Sequence, residues 1–343
     1  MRVAIITDTH FNFKKGNKFF HEYFEKFYNE IFFPSLRKNK IDTVIHLGDI
    51  FDNRKTTDYW SIDWTKRVIL EPLKEYNVHL ILGNHDLMYK NTTKLNSPML
   101  LLSEYKNIKI YSKAEEVKLG NTDVLFIPWI TDESENETFN YIKDTNAKIA
   151  MGHLEMSGFY VNKKTFQQHG IDRKIFHKFD RVFSGHYHTR SDDGKIFYLG
   201  NPYQMYWTDY NDTRGFTIFD TDTYEIERIN NPFEIFKIIN YSDGMFINLD
   251  DYENCIVKLI VKSDRDNKKY NKFLDFLLEA NLQDLKIIEE VTVNDNFEED
   301  ENVKIEDTLS LLKKYIDESE ISLNKNKIKQ LIQNIYQQSF QMQ

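Results

Sequence analysis

Five short apolar runs in this chain close on aspartate or histidine, and that recurrence limits the folds open to it. They are VAIITDTH (3–10), TVIHLGD (43–49), VHLILGNHD (78–86), KIAMGH (148–153) and RVFSGHYH (181–188). Continuous apolar runs of this length, bounded by glycine, read as strands covered on both faces. In an open α/β sheet the loops beyond the carboxyl ends of such strands gather at one place. The expected fold class is therefore α/β, two sheets flanked by helices, with five loops meeting at a common edge.

That meeting would assemble Asp8, His10, Asp49, Asn84, His153, His186 and His188. The set offers oxygen and imidazole donors and no thiolate, and it is too large for one tetrahedral ion. A carboxylate can bridge two ions, so a dinuclear centre is expected, with Asp49 as the bridge. Two cations roughly 3.5–4 Å apart can activate a water and clamp both oxygens of an in-line displacement, which makes phosphate esters the natural substrates. Asp86 is expected to hydrogen-bond His85, leaving His85 as the general acid for the leaving alkoxide, so His85 and Asp86 are the catalytic candidates. One Asp-x-His or Gly-His occurs by chance in many proteins; five in order at strand ends do not. His46, His79, His169 and His177 lie off the pattern and read as structural, and His21 reads as a surface or packing residue of a helix rather than a ligand.

Hydrophobic residues make up 41% of the 343 and charged residues 29%, the balance of a soluble globular protein. No apolar run approaches the roughly 20 residues that span a bilayer. The first residues enter a strand without a basic leader or apolar signal region, so a cytoplasmic location is expected. Cys255, the single cysteine, lies in an apolar run and reads as a buried hydrophobe. The net charge of −9 is uneven: residues 1–240 carry 32 Lys and Arg against 33 Asp and Glu, and 241–343 carry 13 against 21. No basic stripe is present, so affinity for DNA would have to come from metals, local lysines or a partner chain.

Along the chain, aromatics at helical spacing predict a long helix over 17–37. An apolar stretch over 57–76 predicts a second helix, kinked or broken at Pro72, and a short apolar helix follows at 97–105. These last two could pack on the sheet or form a helical dimer contact. Strands are expected at 108–111, in a hairpin of 116–119 with 123–128, at 195–199, and in a hairpin of 215–220 with 224–229; an acidic helix is expected near 134–145. The first domain closes near residue 238. Residues 255–261, 268–280 and 285–293 then read as a small β-α-β unit within a second domain, 239–300. Residues 294–302 read as an acidic linker. The remainder, 301–343, offers helices at 305–317 and 322–340, the last with a stripe of Ile328, Leu331, Ile332, Ile335 and Tyr336 suited to a partner helix.

The ordered set Asp8-x-His10, Gly48-Asp49, Gly83-Asn84-His85-Asp86, Gly152-His153 and Gly185-His186-x-His188 resembles the calcineurin-like metallophosphoesterases. Within them, Gly-Asp-Ile-Phe-Asp at 48–52, the Gly200-Asn201-Pro202 turn and GFTIFD at 215–220 resemble the SbcD-type nuclease subunits of double-strand-break repair complexes. Length and the Ile, Asn, Lys, Phe and Tyr bias also resemble the recombination endonuclease subunits of T4-like bacteriophages, in which case the cytoplasm is that of the host. The resemblance implies a Mn²⁺-dependent DNA nuclease acting in recombination and repair, working as a homodimer with an SMC-like coiled-coil ATPase. It implies a capping, DNA-binding role for 239–300 and ATPase binding by 301–343. One ion would take Asp8, His10, Asp49 and His188, the other Asp49, Asn84, His153 and His186. The chain departs from the family at Asp52, where many members carry a histidine, and at Phe11-Asn12, where Leu-Gly is common. Asn53, Arg54 and the aromatic run 203–210 lie where DNA could be gripped, although buried structural aromatics are the favoured account of the run. The competing readings are a phosphatase acting on small molecules or proteins, and a scaffold that tethers DNA without catalysis.

Overall fold

A computed structural model of the chain describes residues 1–290 apart from 164, 263 and 264. The expected linker at 294–302 and helices at 305–317 and 322–340 lie outside the described residues. The described chain divides into two compact units, 1–233 and the part that begins at Glu234.

The first unit is a sandwich of two six-stranded sheets. In the first, Arg2–Ile6, Thr43–His46, Asn77–Ile81 and Ile108–Tyr111 run parallel, and the hairpin of Arg214–Asp220 with Ile226–Asn231 completes the edge beside Arg2–Ile6. In the second, Thr122–Ile127, Ile149–His153, Arg181–Gly185 and Ile196–Tyr198 run parallel between two antiparallel edges, Glu115–Leu119 and Ser191–Asp192. Alternation along each strand sets the layers. Val3, Ile5, Ile45, Phe126, Ile149, Met151, Phe183 and Phe219 fill the space between the sheets. Leu125, Ile127, Ala150 and Val182 face the other way, onto Ile142, Phe176 and Phe179. On the outer face of the first sheet Ile6, Val44 and Leu80 look onto Tyr28, Phe32, Ile69 and Leu70 of the covering helices. Both parallel sheets are thus covered on two sides, which is why their strands are apolar throughout rather than alternating.

The two covering helices differ from expectation in one respect. Lys18–Phe27 and Phe33–Lys38 are joined by a π-helical segment, Tyr28–Phe32, and Tyr59–Thr65 is joined to Glu71–Leu73 by another, Lys66–Leu70. Each π segment comes just before a proline, Pro34 or Pro72. A proline inside a helix lacks the N–H and pushes on the carbonyl four residues earlier. Widening the turn by one residue accommodates the ring without breaking the helix.

In the second unit Phe236–Asn240, Ile256–Lys262 and Asp284–Glu290 form a parallel three-stranded sheet, with the helix Asn267–Leu278 packed on it. Five residues of the expected first domain thus belong to the second unit, because Phe236–Asn240 pairs with Ile256–Lys262. Asp266 caps that helix by accepting from the Lys268 and Lys269 amides. Cys255 is buried, as a small hydrophobe would be.

Candidate metal centre

Three parallel strands of the first sheet and two of the second end at the same side of the sandwich, and their loops are sewn together by the backbone. Asp8 and His10 donate their amides to the carbonyls of Gly48 (3.0 Å) and Asp49 (3.1 Å), and Phe11 donates to Ile50. The Asp86 carboxylate accepts three amides, from Gly83 (2.8 Å), Asp49 (2.9 Å) and Ile50 (3.0 Å), and so ties the second loop to the third. His186 donates its amide to Asp8 (3.1 Å), and His153 Nδ1 donates to the Leu47 carbonyl (2.7 Å), so the second sheet is pinned to the first.

The residues just before the ligands are glycines for a steric reason. A methyl group at Gly83 would overlap the Asp49 carboxylate, and one at Gly185 would overlap Thr7 and stand 2.9 Å from Asp8 Oδ2. Asp8, His10, Asp49 and His186 all hold left-handed backbone, with φ of 53°, 45°, 56° and 87°. Non-glycine residues adopt that region at a cost of roughly 1 kcal/mol or more, and such strain gathers at functional sites.

The seven expected donors are brought together. Asp8, His10 and His188 form one cluster and Asp49, His153 and His186 another, each with ligand atoms within 4.8 Å of one another. Asp49 Oδ2 faces both, 3.3 Å from His153 Nε2 and 3.9 Å from His10 Nε2. Asn84 Oδ1 lies 3.0 Å from His153 Nε2 and 2.9 Å from His186 Nδ1. The donor set fits a pair of divalent cations on two counts. Asp8 and Asp49 are both essentially buried, and among the described residues their only cationic partners are histidines. The Nε2 atoms of His10 and His188 also face each other at 3.1 Å, an arrangement that calls for a shared proton or a cation.

Without cations, protons do the neutralising. Burial disfavours the Asp49 anion, but the imidazoles of His153, His10 and His85 outweigh it and hold its carboxyl well below the usual range. Burial likewise opposes a charged His153, yet the Asp49 charge and hydrogen bond push it up to about 9. His10 is raised in the same way, against burial, by Asp52, Asp49 and Asp8. Burial drives His186 and His188 down to about 3, helped by His153 and His10 respectively.

The expected pairing of Asp86 with His85 is corrected. Asp86 is fully buried and its oxygens are taken by the three amides, so it positions loops and does not reach a substrate. His85 Nδ1 instead donates to the Asp52 main-chain carbonyl at 2.6 Å, and the His85 amide donates to Asp49 Oδ1 at 2.7 Å. The Asp52 carboxylate lies 3.4 Å from His10 Nδ1, so this residue touches two site histidines. His46, off the sequence pattern, accepts the Gly48 amide at Nδ1 (3.2 Å) and faces the Thr9 hydroxyl with Nε2 (3.0 Å). Burial holds it down to about 3, a neutral strut beneath the loops. Its place at the very end of TVIH was the available signal.

Of the expected DNA contacts, Asn53 spends its side-chain oxygen on the amides of Lys55 and Thr56, and Arg54 is half-buried. In the aromatic run, Tyr203 is fully buried, stacked on Phe24 with ring centroids 3.8 Å apart, and donates to the Thr9 carbonyl. Tyr206 is 45% exposed. Trp129 went unmarked by the sequence: its ring centroid is 4.9 Å from that of His186 and 6.0 Å from that of His153.

Residues 1–190 match the family model of calcineurin-like phosphoesterases. The chain is 32% identical over 282 residues to Exonuclease subunit 1 of Enterobacteria phage T4, covering 82% of each protein. Among solved structures, an archaeal phosphodiesterase aligns over 67% of this chain and 100% of its own, with 13% identity and a TM-score of 0.35.

Proposed function

This chain belongs to the calcineurin-like phosphoesterase family, and from that premise we propose that it is a Mn²⁺-dependent nuclease hydrolysing DNA phosphodiesters as one subunit of a larger complex. The observation that carries the hydrolytic part is the pair of donor clusters that both face Asp49, with His85 at their side. Two divalent cations, when bound, supply an activated water and neutralise the phosphoryl oxygens. Asp8, His10 and His188 would hold one cation, Asn84, His153 and His186 the other, and Asp49 would contribute to both. The oxygen and imidazole donors suit Mn²⁺ as well as other borderline cations. His85 is the residue of this chain that handles a proton: its Nδ1–H donates a hydrogen bond to the Asp52 carbonyl, so the doubly protonated ring would give its Nε2 proton to the departing oxygen and be left as the neutral Nδ1–H form.

The choice of DNA rests on the likeness to an exonuclease subunit. An SMC-like coiled-coil ATPase would bind residues 301–343, DNA would contact the 239–300 segment, and a homodimer would bury the exposed Tyr59, Trp60, Met99 and Leu100. Replacing His85 with alanine is expected to leave the Mn²⁺-induced rise in melting temperature intact while slowing hydrolysis by roughly 10²–10⁴-fold. A variant that no longer responds to Mn²⁺ would move His85 into the ligand set. Linear DNA incubated with Mn²⁺, with and without the partner, separates this reading from a phosphatase, which would cleave p-nitrophenyl phosphate and leave DNA whole.

A further inference from the structure

A groove of about 500 Å³ opens beside the donor His153 and is otherwise lined by residues that take no part in the two clusters. One wall is Trp129, from the loop that follows Thr122–Ile127; the others carry Phe139 from the helix Glu135–Asp144 and Ile175 from the turn Arg173–Phe176. Glu135, Glu155 and Asp172 stand around the same space; Glu155 accepts from Gln167 Nε2 (3.0 Å) and Asp172 from the Lys174 amide (2.9 Å), and none of the three forms an ion pair with another described residue. The groove is therefore apolar and aromatic on its walls and anionic at its rim.

That combination selects its occupant. Three carboxylates repel a phosphate backbone, and an aliphatic ligand offers nothing to their remaining lone pairs. A flat heterocycle bearing N–H groups satisfies both features, with its face on the indole and its donors toward the carboxylates. We infer that the groove receives a nucleobase of the nucleotide flanking the scissile phosphate, with Trp129 as its stacking surface. The 4.9 Å between the Trp129 and His186 ring centroids places that surface directly against the metal donors, so the base belongs to a neighbouring nucleotide and not to a distant one. The donors of a base lie largely on the edge used for pairing, which a duplex keeps occupied. The groove therefore takes an unpaired base, and the enzyme favours nucleotides that are single-stranded or frayed.

This inference rests on the nuclease reading, and the test separates the two. The full chain with Mn²⁺ is given single-stranded oligonucleotides holding one cleavable linkage, flanked on either side by a normal nucleotide or by an abasic sugar. Bis(p-nitrophenyl) phosphate reports whether the centre survives in each variant. For the wild type, removing the base on one side is expected to lower kcat/KM about tenfold, mainly through KM. In Trp129→Ala, and in Ile175→Trp, which fills the groove away from the metal donors, normal and abasic substrates become equivalent; Trp129→Phe restores most of the difference. Wild-type cleavage that ignores the missing base on either side overturns the groove while leaving the nuclease reading in place. So does a base preference that survives both Trp129→Ala and Ile175→Trp. Hydrolysis of the small diester with no DNA cleavage overturns the nuclease reading, and the groove assignment with it.

Discussion

Asp86 shows how much of this centre depends on a side chain that never meets a substrate. Its two oxygens accept three amides from two loops. An asparagine there keeps the shape but turns an NH₂ group toward one of those donors. Asp86→Asn is therefore expected to cost about 2 kcal/mol in urea unfolding of the metal-free protein, and to weaken Mn²⁺ binding because the Asp49 loop loses its tether. The protonation states give a second expectation. In the metal-free protein the His153–Asp49 pair contributes fully below the ordinary histidine pKa near 6.5, and the contribution is lost as pH rises through about 9, because the folded pKa of His153 is the higher one. Cations compete with those same protons, so Mn²⁺ affinity should rise from pH 6 toward pH 9, and calorimetry in buffers of different ionisation enthalpy should register proton release. An affinity independent of pH over that window would contradict it. At this scale the donors were legible because Gly-Asp, Gly-Asn-His-Asp and Gly-His-x-His put ligand types straight after apolar runs. The partner of His85 was not, because neighbours in a loop point in different directions and the acceptor is a main-chain oxygen of Asp52, 33 positions away. Trp129 stayed hidden between Pro128 and Ile130, with no ligand-type residue directly beside it to mark it.

The elements fix the centre by how closely they let the loops approach. At Gly185 the strand Arg181–Gly185 runs against Thr7 and Asp8, with His153 Nδ1 3.0 Å from where a Cβ would stand. Gly185→Ala is expected to cost roughly 1–3 kcal/mol and to displace Asp8, so that the Mn²⁺-dependent thermal shift shrinks with it. A shift of wild-type size would show that the strand can give way cheaply. The parallel strands of the first unit and the two expected hairpins were readable from continuous apolar runs and turn residues. The prolines were only half readable. Pro72 signals an interruption of an α-helical ladder, but whether the chain kinks, breaks or widens into a π turn is settled by the sheet beneath, where Val68, Ile69 and Leu70 must all stay buried. Phe236–Asn240 was not read as a strand, and the boundary near 238 cuts through it, for a related reason: its parallel partner follows after a 15-residue connection, and nothing in a single strand names the sheet it joins.

For the whole molecule, the proposed function assigns catalysis and partnership to different stretches of chain. All seven donors lie within 8–188, inside the first compact unit, while the stripe proposed to meet an ATPase helix lies at 328–336. Deleting 320–343 is accordingly expected to spare Mn²⁺-dependent hydrolysis of a small diester and to abolish co-purification with the ATPase subunit; an unchanged pull-down would relocate that interface. Charge follows the same division, with the acidic surplus confined to 241–343, so a chain acidic as a whole can still present a nearly neutral catalytic unit to a polyanion. Within the first unit the centre spans a seam. His10 comes from one sheet and His188 from the other, 178 residues later, and their ring nitrogens meet only when the two layers have closed on each other. A polypeptide still emerging from the ribosome, or cut short ahead of the fifth loop, lacks His186 and His188, one donor of each cluster. The proposed hydrolysis would therefore be withheld from unfinished copies until both halves of the sandwich are in place.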